Sequence, residues 1–254
     1  MLVEVVEDYD AMSERATEIV VAQIRTKPDS VIGFATGSTP LGLYDGLIAA
    51  HRERGLDFSK ITTFNLDEYV GLPPDHPRSY HRFMREKLFA RVNVNPSRLH
   101  VPHGMADDID AFCRWYERQI EAAGGIDLQI LGIGANGHLA FNEPGSSLGS
   151  RTRIKTLTEE TVRDNARHFE TADEVPRHAI TMGIGTIMDA RKLLLLASGE
   201  TKADAMRATL EGPVTAMVPA TIVQLHRHAH IVLDEAAAAR LEYRHHHGIS
   251  EPAE

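Results

Sequence analysis

Cysteine, tryptophan and positive charge are all scarce in this chain. Its 254 residues include one cysteine and one tryptophan, and aromatic residues make up 6%. A lone cysteine, Cys113, excludes an internal disulfide. Within "DIDAFCRWYERQIE" it reads as a small core residue, because no activating base accompanies it. Acidic residues outnumber basic ones 36 to 27, for a net charge of −9. That balance argues against a large phosphate-backbone interface, which rests on Lys and Arg, so no nucleic-acid partner is expected. A small anion held by a few local cations stays compatible with it. No stretch approaches the roughly 20 apolar residues that span a bilayer, so no membrane partner is expected either. The acidic opening "MLVEVVEDYD" lacks a positive region followed by an apolar run, and no secretory signal is visible in it. A cytoplasmic location is the expectation. No internal repeat and no Gly/Ser/Pro-rich linker divides the sequence, which predicts one domain over 1–254.

What is present is a regular alternation. "SVIGFAT" (Ser30–Thr36), "ITTFNLDEY" (Ile61–Tyr69), "IDLQILGIG" (Ile126–Gly134), "KLLLLAS" (Lys192–Ser198) and "AHIVLDE" (Ala229–Glu235) read as strands. "TPLGLYDGLIAAHRER", "SYHRFMREKLF", "DIDAFCRWYERQIEAA" and "ETKADAMRATLEG" read as helices between them. Near-continuous apolar strands separated by helices predict an α/β fold with a mostly parallel sheet and helices on both faces. Ligands in such folds sit beyond the carboxyl ends of the strands. The segments that follow the strands therefore carry the functional question.

After the first strand comes "ATGSTP". Gly37 allows a tight turn, and Ser38, Thr39 and Pro40 suit a helix start whose free N–H groups would welcome a phosphate. An ordinary capped turn explains the same letters equally well. After the second strand stand Asp67 and Glu68. Neighbouring strand residues point to opposite faces, so at most one of them enters a given site. A carboxylate there could abstract a proton next to a carbonyl, or it could be solvated. After the third strand, Gly132, Gly134 and Gly137 spell G-x-G-x-x-G, the spacing of a dinucleotide-binding turn. That reading fails on context: Pro144 arrives too soon for the long helix it requires. What remains is a glycine-rich loop that delivers Asn136, His138 and Glu143. His138 is the natural proton shuttle, and a carboxylate beside it would fix its tautomer. H-x-x-x-x-E is not a usual zinc spacing and no second His is near, so no metal is expected. His245–His247 read as an exposed helix end or tail.

"ATGSTP", "TFNLDEYVGLPPDHPRSYH", "LGIGANGHLAFNEPGSSLGSRTRIKTL" and "TMGIGTIMDA" together resemble the glucosamine-6-phosphate deaminase (isomerase) family, from about Val31 to about Leu233. The resemblance implies a modified Rossmann-like fold and conversion of glucosamine 6-phosphate and water to fructose 6-phosphate and ammonia, without nucleotide or metal cofactor. Asp67 matches the base that moves a proton between C2 and C1. His138 matches the group that opens the pyranose ring, and Glu143 its carboxylate partner. Asn136 stands where some members carry Asp, which implies a changed pH profile. Thr36, Gly37, Ser38, Thr39, Arg167 and Lys202 match the phosphate ligands. Ser146, Arg153 and Lys155 match an activator site of allosteric hexameric members. The C-terminal "RLEYRHHHGISEPAE" differs from those members, and leaves open whether the chain is a homo-oligomer. A 6-phosphogluconolactonase, a sugar-phosphate sensor and a nicotinamide-dependent oxidoreductase are the alternatives, and none of them needs the whole set.

Overall fold

The computed structural model describes residues 1–166 and 174–243. Among them, seven strands form a parallel sheet. They are β1 (Leu2–Val6), β2 (Val31–Phe34), β3 (Thr62–Asn65), β5 (Leu99–His100), β6 (Leu128–Leu131), β9 (Leu193–Ala197) and β10 (Ala229–Asp234). Their order is β1-β10-β9-β6-β2-β3-β5. Three others, β4 (Asp67–Tyr69), β7 (Arg153–Thr156) and β8 (His178–Thr181), make a small antiparallel sheet in the order β4-β8-β7.

The unbroken apolar runs of the central strands follow from burial on both faces. Along β9, Leu193, Leu195 and Ala197 enter one core and Leu194 and Leu196 the other. The first core is closed by α4 (Ile109–Ala122), α6 (Ile184–Met188) and α7 (Ala203–Glu211), through Tyr116, Ile187 and Met206. The second is closed by α1 (Tyr9–Thr26), α2 (Leu41–Arg54) and α3 (Tyr80–Lys87), through Val20, Leu47 and Met84. Helices thus cover both faces. Cys113 is buried on α4, and burial pushes its thiol up to about 11, which suits a core residue rather than a nucleophile.

Several expected elements differ. The stretch Ile61–Tyr69 is not one strand. The Leu66 amide donates to Phe34 O (3.2 Å) in the parallel sheet, and its carbonyl accepts from Met182 N (2.7 Å). The chain leaves one sheet and joins the other at this residue. "ETKADAMRATLEG" begins as a 3-10 turn over Glu200–Lys202 before α7, and "SYHRFMREKLF" is α-helical as far as Lys87, with a 3-10 turn beginning at Phe89. The acidic opening conceals an edge strand, β1, because Glu4 is paired with Arg15 Nε (2.6 Å) and His230 Nε2 (2.8 Å). No helix among the described residues is long and apolar enough to cross a membrane.

The opposite end of the sheet is tied by one carboxylate. Asp127, 5% exposed, accepts from Val31 N (2.8 Å) and Lys27 Nζ (2.6 Å), with Arg191 Nη1 at 3.3 Å. This links the start of β2 to the start of β6. Asp127→Ala is expected to lower stability by about 2 kcal/mol, read as a lower urea midpoint with an unchanged slope. Turnover per folded molecule should be preserved, because the substitution lies at the far end of the strands from the carboxyl-end loops.

Candidate active site

Four neighbouring parallel strands, β9, β6, β2 and β3, end on the same edge of the sheet. The segments beyond them hold Lys202, the 132–145 loop, Thr36–Thr39 and Asp67 in that order. β2 lies where connections part to either side, the crevice in which open α/β sheets bind ligands.

The 132–145 loop is shaped by close approach and by anchoring. A Cβ on Gly134 would stand 2.2 Å from His138 Cε1, so only glycine lets the imidazole lie against that backbone. The loop turns back at Ala140, the one non-glycine residue with a positive φ (53°) among the described residues. Such backbone costs roughly 1–2 kcal/mol and persists only where its surroundings enforce it. Here the enforcement comes from β8: Phe141 N donates to Thr181 Oγ1 (3.1 Å), and Asn142 Nδ2 to Met182 O (2.8 Å) and Leu139 O (2.9 Å). Thr181 is also the register partner of Asp67. The histidine loop and the Asp67 strand therefore hang from the same strand end.

Asn136, His138 and Glu143 form a directed hydrogen-bond chain. Asn136 Nδ2 donates to Glu143 Oε2 at 3.0 Å. A carboxylate only accepts, so the amide must present its nitrogen to Glu143 and its oxygen to His138. Asn136 Oδ1 lies 2.8 Å from His138 Nδ1 and accepts from the His138 backbone N–H at 3.2 Å. Nδ1 must then carry the proton, which leaves the Nε2 lone pair for a substrate. Glu143 Oε2 is 3.6 Å from Nδ1, near enough for direct electrostatic attraction, while the hydrogen-bonded link between them runs through the amide. Thr161 Oγ1, on α5 (Glu159–Ala166), donates to the other Glu143 oxygen. Burial works to raise the Glu143 carboxyl, but the neighbouring His138, Thr161 and Asn136 groups prevail and hold it at about 2. It is a fixed anion at any ordinary pH.

Burial raises the carboxyls of both Asp67 and Glu68, but the two are placed differently. Glu68 is fully buried and accepts from Ser79 Oγ (2.7 Å) and from the backbone of Tyr69, Tyr80 and His81 (2.9, 3.1 and 3.1 Å). It satisfies the first turn of α3 and fixes the Pro-rich loop before it. Asp67, on the other face of β4, is 6% exposed. Burial, followed by the adjacent Glu68, pushes its carboxyl up to about 8. That is the range in which a carboxylate can both take and return a proton near neutrality.

The turn after β2 differs from expectation. α2 has no side-chain cap at its N-terminus, so Ser38 and Thr39 do not serve as caps. Tyr9, from α1, intervenes: its hydroxyl accepts from Gly42 N (2.8 Å) and donates to Ser38 O (3.2 Å). Gly37 has φ 98° and supplies the turn. Tyr80 interacts through its hydroxyl with Thr36 and with Tyr69, whose ring centroid is 5.1 Å away. Lys202 is half-buried in the turn after β9. Arg167 and His245–His247 lie outside the described residues. Arg153 and Lys155 share one face of β7. Ser146 is buried, with an Oγ that has no hydrogen-bond partner among the described residues. No hydrogen bond joins Ser146 to either cation among the described residues. Sequence reasoning gave no role to Tyr9, Tyr80, Thr161 and Thr181, although Tyr80 and Thr181 stand inside the segments that carry the family resemblance, because the groups they meet are remote in the chain. Among the described residues no group of three or more His, Cys, Asp and Glu is arranged to hold a metal ion.

Comparison with known proteins bears directly on this arrangement. The family model for glucosamine-6-phosphate isomerases and 6-phosphogluconolactonases matches residues 6–232. A glucosamine-6-phosphate deaminase from Thermoanaerobacter sp. (strain X514) is 52% identical over 239 residues, covering 94% of each chain. The solved structure of a monomeric glucosamine-6-phosphate deaminase superposes with a TM-score of 0.93 at 46% identity, covering 94% of this chain and all of that one. A 6-phosphogluconolactonase from Trypanosoma cruzi shares the fold at TM-score 0.74 and 20% identity, over 95% of this chain and 97% of its own. With the match extending from β1 into β10, the chain belongs to the glucosamine-6-phosphate isomerase/6-phosphogluconolactonase family.

Proposed function

We propose that the chain converts glucosamine 6-phosphate and water to fructose 6-phosphate and ammonia, with Asp67 and His138 moving the protons. The observation that carries this reading is the shared mounting of a buried, proton-hungry carboxylate and a tautomer-fixed imidazole on the end of β8. Ring opening removes a proton from the anomeric hydroxyl and returns one to the ring oxygen, both within the reach of a single imidazole Nε2. Asp67 then takes the proton from C2 of the open-chain amino aldehyde, and the electron pair shifts toward the C1 carbonyl to give a C1–C2 enolamine. Return of a proton to C1 leaves an iminium at C2. Water adds there, and ammonia departs as the ketose carbonyl forms. Asn136 and Glu143 hold His138 in the required tautomer, and their place in the scheme is orientation. The backbone and hydroxyls of Thr36–Thr39, with Lys202 and Arg167, hold the phosphate.

Lactone hydrolysis is the second chemistry of this family. It transfers no proton at carbon and gives Asp67 no task. The deaminase relative at 52% identity supports the isomerising reading, whereas lactonases at about 20% identity share the fold alone.

Asp67→Asn is expected to abolish turnover and the exchange of the C2 proton with solvent, read by NMR in deuterated buffer. Retained exchange would remove Asp67 from the reaction. The same substitution carries a stability signature. Between its ordinary value of 3.8 and about 8, the folded chain keeps a proton that the unfolded chain releases. Stability therefore falls as pH rises through that window. Asp67→Asn should raise Tm at pH 8, by about 2–4 °C for each kcal/mol relieved, and raise it less at pH 5. Calorimetry at both pH values checks this.

Asn136→Ala removes the amide that directs the imidazole. A roughly 100-fold fall in kcat with little change in KM is expected, the lower end of what a positioned acid–base group contributes. Steady-state kinetics on glucosamine 6-phosphate test it, and a loss confined to KM would contradict the orienting role.

A further inference from the structure

Glu143 needs two donors to stay where it is, and only one of them lies in its own loop. Asn136 Nδ2 occupies Oε2, and Thr161 Oγ1 occupies Oε1. Glu143 is 2% exposed and Thr161 6%. A buried carboxylate oxygen stripped of its donor is costly, and rotation of the carboxylate to relieve it would carry Asn136 away from His138. The donor is supplied from a helix 18 residues downstream, beyond β7.

The proton of Thr161 has one direction open to it. Thr158 Oγ1 donates to Thr161 Oγ1 at 3.1 Å, and accepts from Thr161 N at 3.2 Å as the first turn of α5 closes. With a lone pair of Thr161 Oγ1 filled from Thr158, its own hydrogen is committed to Glu143. The helix that presents it is held in turn: Val162 packs in a cluster with Tyr69, Phe141 and Leu157, residues that belong to β4, the histidine loop and the segment just after β7. The hydroxyl therefore sits on a supported element and aims at a fixed acceptor, the arrangement that precise positioning requires.

We propose that Thr161 is a positioning residue for the reaction, acting through Glu143 and Asn136 to hold His138; this rests on the reading of His138 given above. Thr161→Val keeps the branched shape and removes the hydroxyl, Thr161→Ser keeps the hydroxyl, and both are compared with Glu143→Gln and with the Thr161→Val/Glu143→Gln double variant. Thr161→Val is expected to lower kcat about tenfold, corresponding to one buried hydrogen bond, with KM for glucosamine 6-phosphate held within about twofold. Thr161→Ser should restore kcat to within about twofold of the wild type. In the Glu143→Gln background, Thr161→Val should cost no more than about a further twofold, because residues acting as one unit are not additive. A Thr161→Ser enzyme as slow as Thr161→Val overturns the proposal, and so does a full tenfold loss added to Glu143→Gln. A wild-type kcat in Glu143→Gln alone is the separate outcome that removes the earlier reading of Glu143, and this proposal with it.

Discussion

A carboxylate can accept hydrogen bonds and cannot give them, and at Glu143 that one-sidedness orders everything above it. Because Glu143 takes the Asn136 amide nitrogen, Asn136 must turn its oxygen to His138, and His138 must carry its proton on Nδ1. Three side chains are thereby oriented without any of them choosing. The arrangement works only while Glu143 stays ionised and immobile. Both conditions are met by donors on each oxygen and by a proton affinity lowered to about 2. An Asp at position 136 would present only acceptors to Glu143. The amide instead bridges carboxylate and imidazole while adding no second negative charge.

Three carboxylates lie within the same small region, and their surroundings give each a different property. Glu143 is surrounded by donors and remains charged. Glu68 is buried just as deeply but spends its acceptors on the first turn of α3, so it builds the loop rather than facing the crevice. Asp67 is buried beside Glu68, and both burial and that neighbouring charge raise it toward neutrality. A pair of acids pushed apart in this way separates an exchangeable proton from a fixed anchor. The cost falls on stability, since a desolvated Asp67 resists ionisation in the folded state.

Much of the main sheet was legible because its strands are buried on both faces. "KLLLLAS" and "IDLQILGIG" are nearly continuous apolar runs, and burial on both faces between helices is the environment that suits them. β1 was not legible, since Glu4 breaks its pattern and becomes tolerable only when Arg15 and His230 arrive from α1 and β10. The separation of β4 from β3 was not legible either. β4 is three residues long and continuous in sequence with β3, and only the switch of hydrogen-bond partners at Leu66 separates them. At the site, His138, Asn136 and Glu143 stood together in one loop and were found together. Thr161 and Tyr9 carried no sign of their roles, because a hydroxyl acquires a role only from what it meets.

The sequence by itself determined the alternation of strands and helices, the glycine loop that rejects a dinucleotide, and the residue types capable of proton transfer. These are local properties: apolar periodicity, a misplaced proline, the chemistry of a side chain. Only the tertiary structure decided which nitrogen of His138 carries the proton, which of two adjacent acids spends its oxygens on the turn into α3, and which remote hydroxyl meets the start of α2. Each of those depends on the direction of a hydrogen bond or on exclusion of water, and both are set by groups tens of residues away.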